Sequence, residues 1–197
     1  GINMDDKFLF ERRNKNASEI TTVIVQGQYN GTSYFYKIDL IDANKVRYDI
    51  ERNYHYVVKI RSVLKEGYTN FNDALAGASH NNTALDPIIE KYPMISDGIS
   101  KLEVEKTLVI LTETNQPVTT WAKYYPDLNN NNFDNTGVTV TVTQSTGEEA
   151  IDASSLLFNA STGVITFTGV SVVPATPYTA NILVQKGDLA RTIRVII

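Results

Sequence analysis

Short runs of β-branched and aromatic residues, broken by polar residues at alternate positions, recur along the whole chain. They predict strands over 21–25, 34–41, 54–63, 102–111, 119–125, 138–143, 164–168, 178–185 and 190–197. The period is plainest where Val138, Val140 and Val142 share one side and Thr139, Thr141 and Thr143 the other. A strand with one face on a core and one in water has that period. Between the runs stand Asn30-Gly31, Thr146-Gly147, Thr162-Gly163 and Lys186-Gly187-Asp188. Each places Gly or Asn where positive φ is cheap. The runs 25–29 and 34–36 flank an Asn-Gly-Thr-Ser stretch, which predicts a hairpin. One short helix is expected, capped by Thr69 and running from Asn70 to about residue 78, with Phe71, Leu75 and Ala78 on one face.

Pro87 and Pro93 bracket a stretch that reads as irregular, and Asp97-Gly98 reads as a turn. A domain boundary is therefore expected near 92–100. The fold class that follows is all-β, with two β-sandwich domains over 1–96 and 97–197 and one short helix. The later stretch holds about seven strand candidates separated by turns, the spacing of an immunoglobulin-like sandwich. The tryptophan–cysteine core of a true immunoglobulin domain is missing, since there is no Cys. No internal repeat is visible, and residues 129–132 read as a polar loop tip.

With 197 residues and 42% hydrophobic content, the chain can bury a core. A net charge of -4 argues against nucleic acid as a partner, because such proteins carry a basic face. The absence of cysteine excludes disulfides, thiolate catalysis and cysteine-held zinc or iron–sulfur sites. It leaves the redox compartment open. No run approaches the roughly 20 apolar residues that span a bilayer. Residues 1–6 lack the basic-then-apolar pattern of an export signal. Either the protein is cytoplasmic, or any signal and anchor have been removed from this chain.

Candidate chemistry is sparse. Only His55 and His80 could serve as a general base, and no Gly-x-Ser-x-Gly elbow occurs. The chain is therefore read as non-enzymatic, with no cofactor. Asp127, Asn129 and Asn131 imitate the start of a calcium loop, but Asn132 stands where Gly is needed and Val138 where a bidentate Glu is needed. No metal is expected there. Glu148-Glu149 reads as solvated charge, and Arg12, Arg13 and Arg52 are too few for a basic patch. Tyr34, Phe35, Tyr36, Tyr54, Tyr56, Tyr124 and Tyr125 could fill cores or present ring faces to sugars. The apolar C-terminal run places Ile193, Val195 and Ile197 on one face. It could complete a neighbour's sheet or close the chain's own.

Several segments in order carry a resemblance. They are Phe8-Leu9-Phe10-Glu11-Arg12-Arg13-Asn14, Tyr34-Phe35-Tyr36-Lys37-Ile38-Asp39-Leu40, and Tyr48-Asp49-Ile50-Glu51-Arg52-Asn53-Tyr54-His55-Tyr56. Ile60-Arg61-Ser62-Val63, Gly67-Tyr68 and Ala74-Leu75 follow. Together they resemble the fimbrillin family of anaerobic bacteria. The resemblance implies a transthyretin-like sandwich for the first domain, export as a lipoprotein, and a place in a pilus stalk, anchor or tip. The family's N-terminal domain and lipid-attachment cysteine are not in this sequence. The match begins partway through the family pattern, so a first domain lacking strands and a fragment of a longer chain are the two readings it implies. Further on, Leu156-Leu157-Phe158-Asn159-Ala160-Ser161-Thr162-Gly163-Val164-Ile165 resembles a turn of immunoglobulin-like repeats in bacterial surface proteins.

The expected function is that of a structural or adhesive cell-surface protein, a fimbrillin-like pilus subunit or pilus-associated adhesin. A glycan-binding β-sandwich is the alternative. The interaction candidates are Tyr124, Tyr125, Asn131, Ile193, Val195 and Ile197. The implied partners are other fimbrial subunits, host or bacterial surface ligands, and glycans. The implied location is extracytoplasmic, at the cell surface, outer membrane or fimbrium. Any membrane attachment would run through a lipid anchor that is not in this chain.

Overall fold

A computed structural model describes residues 9, 11–13, 20–171 and 174–197. Phe8, Phe10 and Asn14 of the first resemblance segment, and the opening residues 1–6, lie outside the described residues. The protein is all-β apart from one helical turn and a half. The strands are β1 (Thr22–Tyr29), β2 (Thr32–Asp39), β3 (Tyr54–Val63), β4 (Leu85–Ser96), β5 (Lys101–Val104) and β6 (Leu108–Ile110). They continue as β7 (Pro117–Tyr125), β8 (Thr139–Gln144), β9 (Ile151–Asn159), β10 (Val164–Gly169), β11 (Thr179–Lys186) and β12 (Leu189–Ile196). The helix α1 covers Phe71–Ala76. Two compact units divide between Lys91 and Tyr92, within β4.

The unit Tyr92–Ile197 is a β-sandwich. One sheet runs β4-β5-β7-β10-β9, and the other β6-β12-β11-β8. Their inner faces share one core, which includes Leu102, Val104, Ile165, Phe167, Ile182, Val184, Ile193 and Val195. Apolar residues at alternate positions make this possible: along β10, Ile165 and Phe167 are buried while Val164 and Thr166 are half-buried. The expected strand 102–111 is two strands. The chain leaves one sheet after Val104 and enters the other at Leu108, where β6 pairs with β12 in parallel. A single ladder cannot serve both sheets, and the chain crosses between them at the polar triplet Glu105-Lys106-Thr107.

The unit Phe8–Lys91 is lighter. β1 and β2 form a hairpin whose register pairs Tyr29 with Thr32. Only Asn30 and Gly31 lie in the turn, at φ 49 and 80. Both central residues at positive φ match the right-handed twist of the flanking strands. The core is Tyr36, Ile38, Ala84 and Leu85, with Val23, Val25, Val58 and Ile89 packed against it. Beside it, Lys59 pairs with Glu90 and Arg61 with Asp86, linking β3 to the first part of β4.

Three local expectations are corrected. The stretch around Pro87 and Pro93 is strand β4, not an irregular link. Proline lacks an N–H, but β4 pairs with β5 only over Met94–Ser96, so Pro93 precedes that ladder. The helix is capped by Asn70, whose side chain accepts from the Asp73 amide at 2.9 Å, not by Thr69. Its buried residue is Ala74, while Phe71 and Leu75 are about half exposed. Finally, 151–159 is a strand, β9, for which no strand is predicted.

Candidate functional site

The interaction candidates of the later unit fall into two groups. Ile193 and Val195 are fully buried. They lie on β12, which pairs with β11 on one side and β6 on the other. Over Arg194–Ile196 both edges of the strand are thus taken by the chain itself, and neither Ile193 nor Val195 is on a surface. Ile197 is half-buried against the same core and exchanges two backbone hydrogen bonds of 3.1 Å with Tyr178. As surface contacts these three residues are set aside, because burial in their own sandwich already satisfies their apolar side chains.

The second group gathers at the end of β7. Alternation separates its two tyrosines. Tyr124 packs against the sandwich core with Ala122, while Tyr125 faces outward with Trp121 and Lys123. The Tyr125 and Phe133 rings meet edge to face at 6.5 Å. The Lys123 ammonium lies 4.9 Å from the Trp121 ring and 5.3 Å from Phe133. Ring-face stacking on a sugar would therefore fall to this outward set, not to Tyr124. On the same face of β5, Lys101 and Glu103 alternate with the core residues Leu102 and Val104. Both are buried, with their charges 3.6 Å apart and the Lys101 ammonium 4.7 Å from the Tyr125 ring.

Asn131 lies at the exposed tip of the loop that joins β7 to β8. Both feet of this loop are fixed. Leu128 is buried and donates its amide to Ile99 at 2.9 Å. At the other foot Asn135 is buried. Its Oδ1 accepts from the Tyr124 amide at 2.8 Å, and its Nδ2 donates to the Ala122 and Ala160 carbonyls at 3.3 and 3.2 Å. An asparagine is used because one side chain supplies both an acceptor and two donors. Gly163 comes close by at φ 75, where an added Cβ would stand 2.5 Å from the Ala122 carbonyl oxygen. Within the loop, Asp127 accepts from the Asn129 amide and Asn130 from the Asn132 amide, each at 2.9 Å. Those oxygens cap backbone. Among the described residues no three His, Cys, Asp or Glu side chains cluster to hold a metal.

Sequence reasoning missed Asn135, because asparagine in an Asn-rich loop carries no sign of burial. It also missed the exposed Leu108 and Ile110 on the edge strand β6, which read as part of one buried run.

In the unit Phe8–Lys91 several aromatics are engaged within the fold. Tyr36 is buried and donates its hydroxyl to the Lys65 carbonyl at 3.1 Å. Tyr48, Tyr54 and Tyr56 surround the Lys91 ammonium at 6.0, 4.1 and 6.0 Å, and Glu51 pairs with it at 2.5 Å. Burial works against the Lys91 charge, but Glu51 and the tyrosines outweigh it and leave its pKa raised.

The family model described as the fimbrial protein FimE middle domain matches residues 95–197, nearly the whole sandwich unit. The chain belongs to the FimE fimbrial family. Two curated relatives of this FimE-family chain carry the name Major fimbrium tip subunit FimE, both from Porphyromonas gingivalis. Each is 35% identical over 147 residues, which is 72% of this chain and 26% of the relative. The chain thus spans about a quarter of the length of the curated relatives it matches. No solved structure gives a significant match. The expected fimbrillin-type family is thereby shown for the chain, on a family match that falls in its later unit, and the family is structural rather than enzymatic.

Proposed function

We propose that this chain is a structural module of a fimbrial tip-type subunit, displayed at the cell surface and held among other fimbrial subunits. The observation that carries the reading is the FimE match across the sandwich unit. The strand order supports a finer fold reading. β5-β7-β10-β9 against β12-β11-β8 reproduces the A-B-E-D and G-F-C sheets of an immunoglobulin-like sandwich. In such a module, contacts are made by exposed edges and loop tips. Here these are the edge strand β6, with Leu108 and Ile110 outward, and the loop tip at Asn131. The C-terminal strand closes its own sheet, so exchange through it would require β12 to leave both β11 and β6.

The test is immunogold labelling of fimbriae sheared from the source bacterium with an antibody to this chain. Label on fimbriae, lost in a deletion strain, is the expected result. Label confined to the cytoplasm would overturn the proposal. A second arm replaces Leu108 and Ile110 with Thr. Wild-type stability with reduced incorporation into fimbriae would assign the contact to β6.

A further inference from the structure

β2 has β1 on one side only, yet its other edge is not bare. Phe35 and Tyr68 exchange two backbone hydrogen bonds of 2.8 and 2.9 Å. Two residues further along β2, the His80 amide donates to the Lys37 carbonyl at 2.7 Å, and the Lys37 amide donates to His80 Nδ1 at 3.1 Å. Two residues beyond that, the Asn81 side chain completes the row. Its Oδ1 accepts from the Asp39 amide and its Nδ2 donates to the Asp39 carbonyl, each at 2.9 Å. Side chains here take the place of a third strand. An uncovered edge is a template for another chain, and this cover blocks it.

We propose that His80 is an acid-sensitive latch on this edge: protonation of Nδ1 breaks its bond to the Lys37 amide and loosens the cover at the middle of the outer edge of β2. The chemistry is that of one nitrogen. To accept from Lys37, Nδ1 must carry no proton, so the ring is neutral with its proton on Nε2. In the imidazolium both ring nitrogens are donors. Nδ1–H then faces the Lys37 N–H, and one half-buried donor loses its acceptor. Asn81, doing the same task at Asp39, cannot titrate.

The surroundings hold the latch closed near neutrality. The His80 ring packs edge to face on Tyr36 and Tyr68, with centroids 5.5 and 4.6 Å away. Burial first, then the charge of Lys65, lowers its pKa from the ordinary 6.5. On β2, Lys37 is held by the Leu75 and Gly77 carbonyls and Asp39 by Arg47. From the preceding segment come Lys65 and Glu66, the latter acting on Tyr34 and Tyr36. The Tyr68 hydroxyl donates to the Ala78 carbonyl, and on α1 Asp73 is tied to Asn70. Among the described residues no carboxylate bonds to His80, so none of them offsets the loss on protonation.

The experiment uses the intact chain, labelled with nitrogen-15. NMR follows the His80 ring and the exchange protection of the Lys37 amide from pH 8 to pH 5, corrected for intrinsic exchange. Lys37 protection is expected to fall about tenfold or more as His80 titrates, the scale of one lost acceptor. The amides of Tyr36 and Ile38, which face β1, should keep theirs. His80→Asn supplies an oxygen where Nδ1 stood and should hold Lys37 protected throughout, whereas His55→Asn should leave the acid response in place. The proposal is overturned if His80 does not titrate in this range, or if it titrates without a change at Lys37. It is equally overturned if His80→Asn retains the loss, or if His55→Asn removes it. Should His80→Asn fail to fold, the wild-type titration with His55→Asn decides.

Discussion

The two units solve the same problem with different means. The sandwich of Tyr92–Ile197 closes two sheets over a core with fifteen buried apolar residues among those described. The contiguous core of the unit Phe8–Lys91 has four, with Leu40, Ile50 and Ala74 buried apart from it, and is supplemented by ring contacts, side-chain edge cover and ion pairs. Burial of apolar surface involves no titrating group, whereas a hydrogen bond to a histidine depends on pH and an exposed ion pair is screened by salt. The sandwich thus leans on buried apolar surface, and the other unit leans more on polar groups whose contributions depend on their charge states.

The largest expected effect breaks the sandwich alone. Ile193→Ala removes a fully buried side chain between both sheets and should cost about 2–5 kcal/mol. The only tryptophan, Trp121, is in this unit, so its fluorescence in denaturant reports that loss. A cost under about 1 kcal/mol would mean the core collapses easily around the site. Next in size is Asn135→Ala. It strands the Tyr124 amide and should cost about 1–3 kcal/mol by the same readout, with the loop tip at Asn131 losing its fixed foot.

The third test is pH. In the sandwich, backbone hydrogen bonds from Ser100 and Ile99 hold the Asp97 carboxyl below its ordinary 3.8, and Thr136 does the same for Asp134. A depressed carboxylate contributes stability above about 3.8 and loses it as pH falls through the folded value. In the other unit the depressed group is a histidine. Its neutral form is favoured by the fold, so stability is full above 6.5 and declines as pH falls from there toward the folded value. Far-UV and near-UV dichroism from pH 8 to 3 should therefore show the unit Phe8–Lys91 responding first. Asp97→Asn should remove part of the later, acidic response only. The smallest effect is at the exposed pairs. A double-mutant cycle on Arg61 and Asp86 should give at most about 1 kcal/mol, falling with added salt.

Much of this division was legible in the residues, and the exceptions have causes. Strand 54–63 reads directly from its aromatic and β-branched run and coincides with β3. The Val138 alternation reads directly too. β9 is hidden because Asp152, Ser154 and Ser155 break its alternation. Its ladder to β10 slips between Thr166 and Thr168, and the Ser155 hydroxyl accepts the Thr168 amide there. β4 is hidden by its prolines, whose cost depends on which neighbour begins where. The aromatic candidates split by parity alone, and only the register of β7 says that Tyr125 faces out while Tyr124 packs inward. Edge cover by His80 and Asn81 leaves no local pattern, since the partners are more than forty residues away in the chain.

Native-state hydrogen exchange, read peptide by peptide at pH 7.5, tests the difference between the units most directly. Peptides from β10, β11 and β12 should open only with global unfolding of the sandwich, and those from β1, β2 and 78–85 at lower free energy. Equal protection in both units, or greater protection in β1 and β2, would contradict the account.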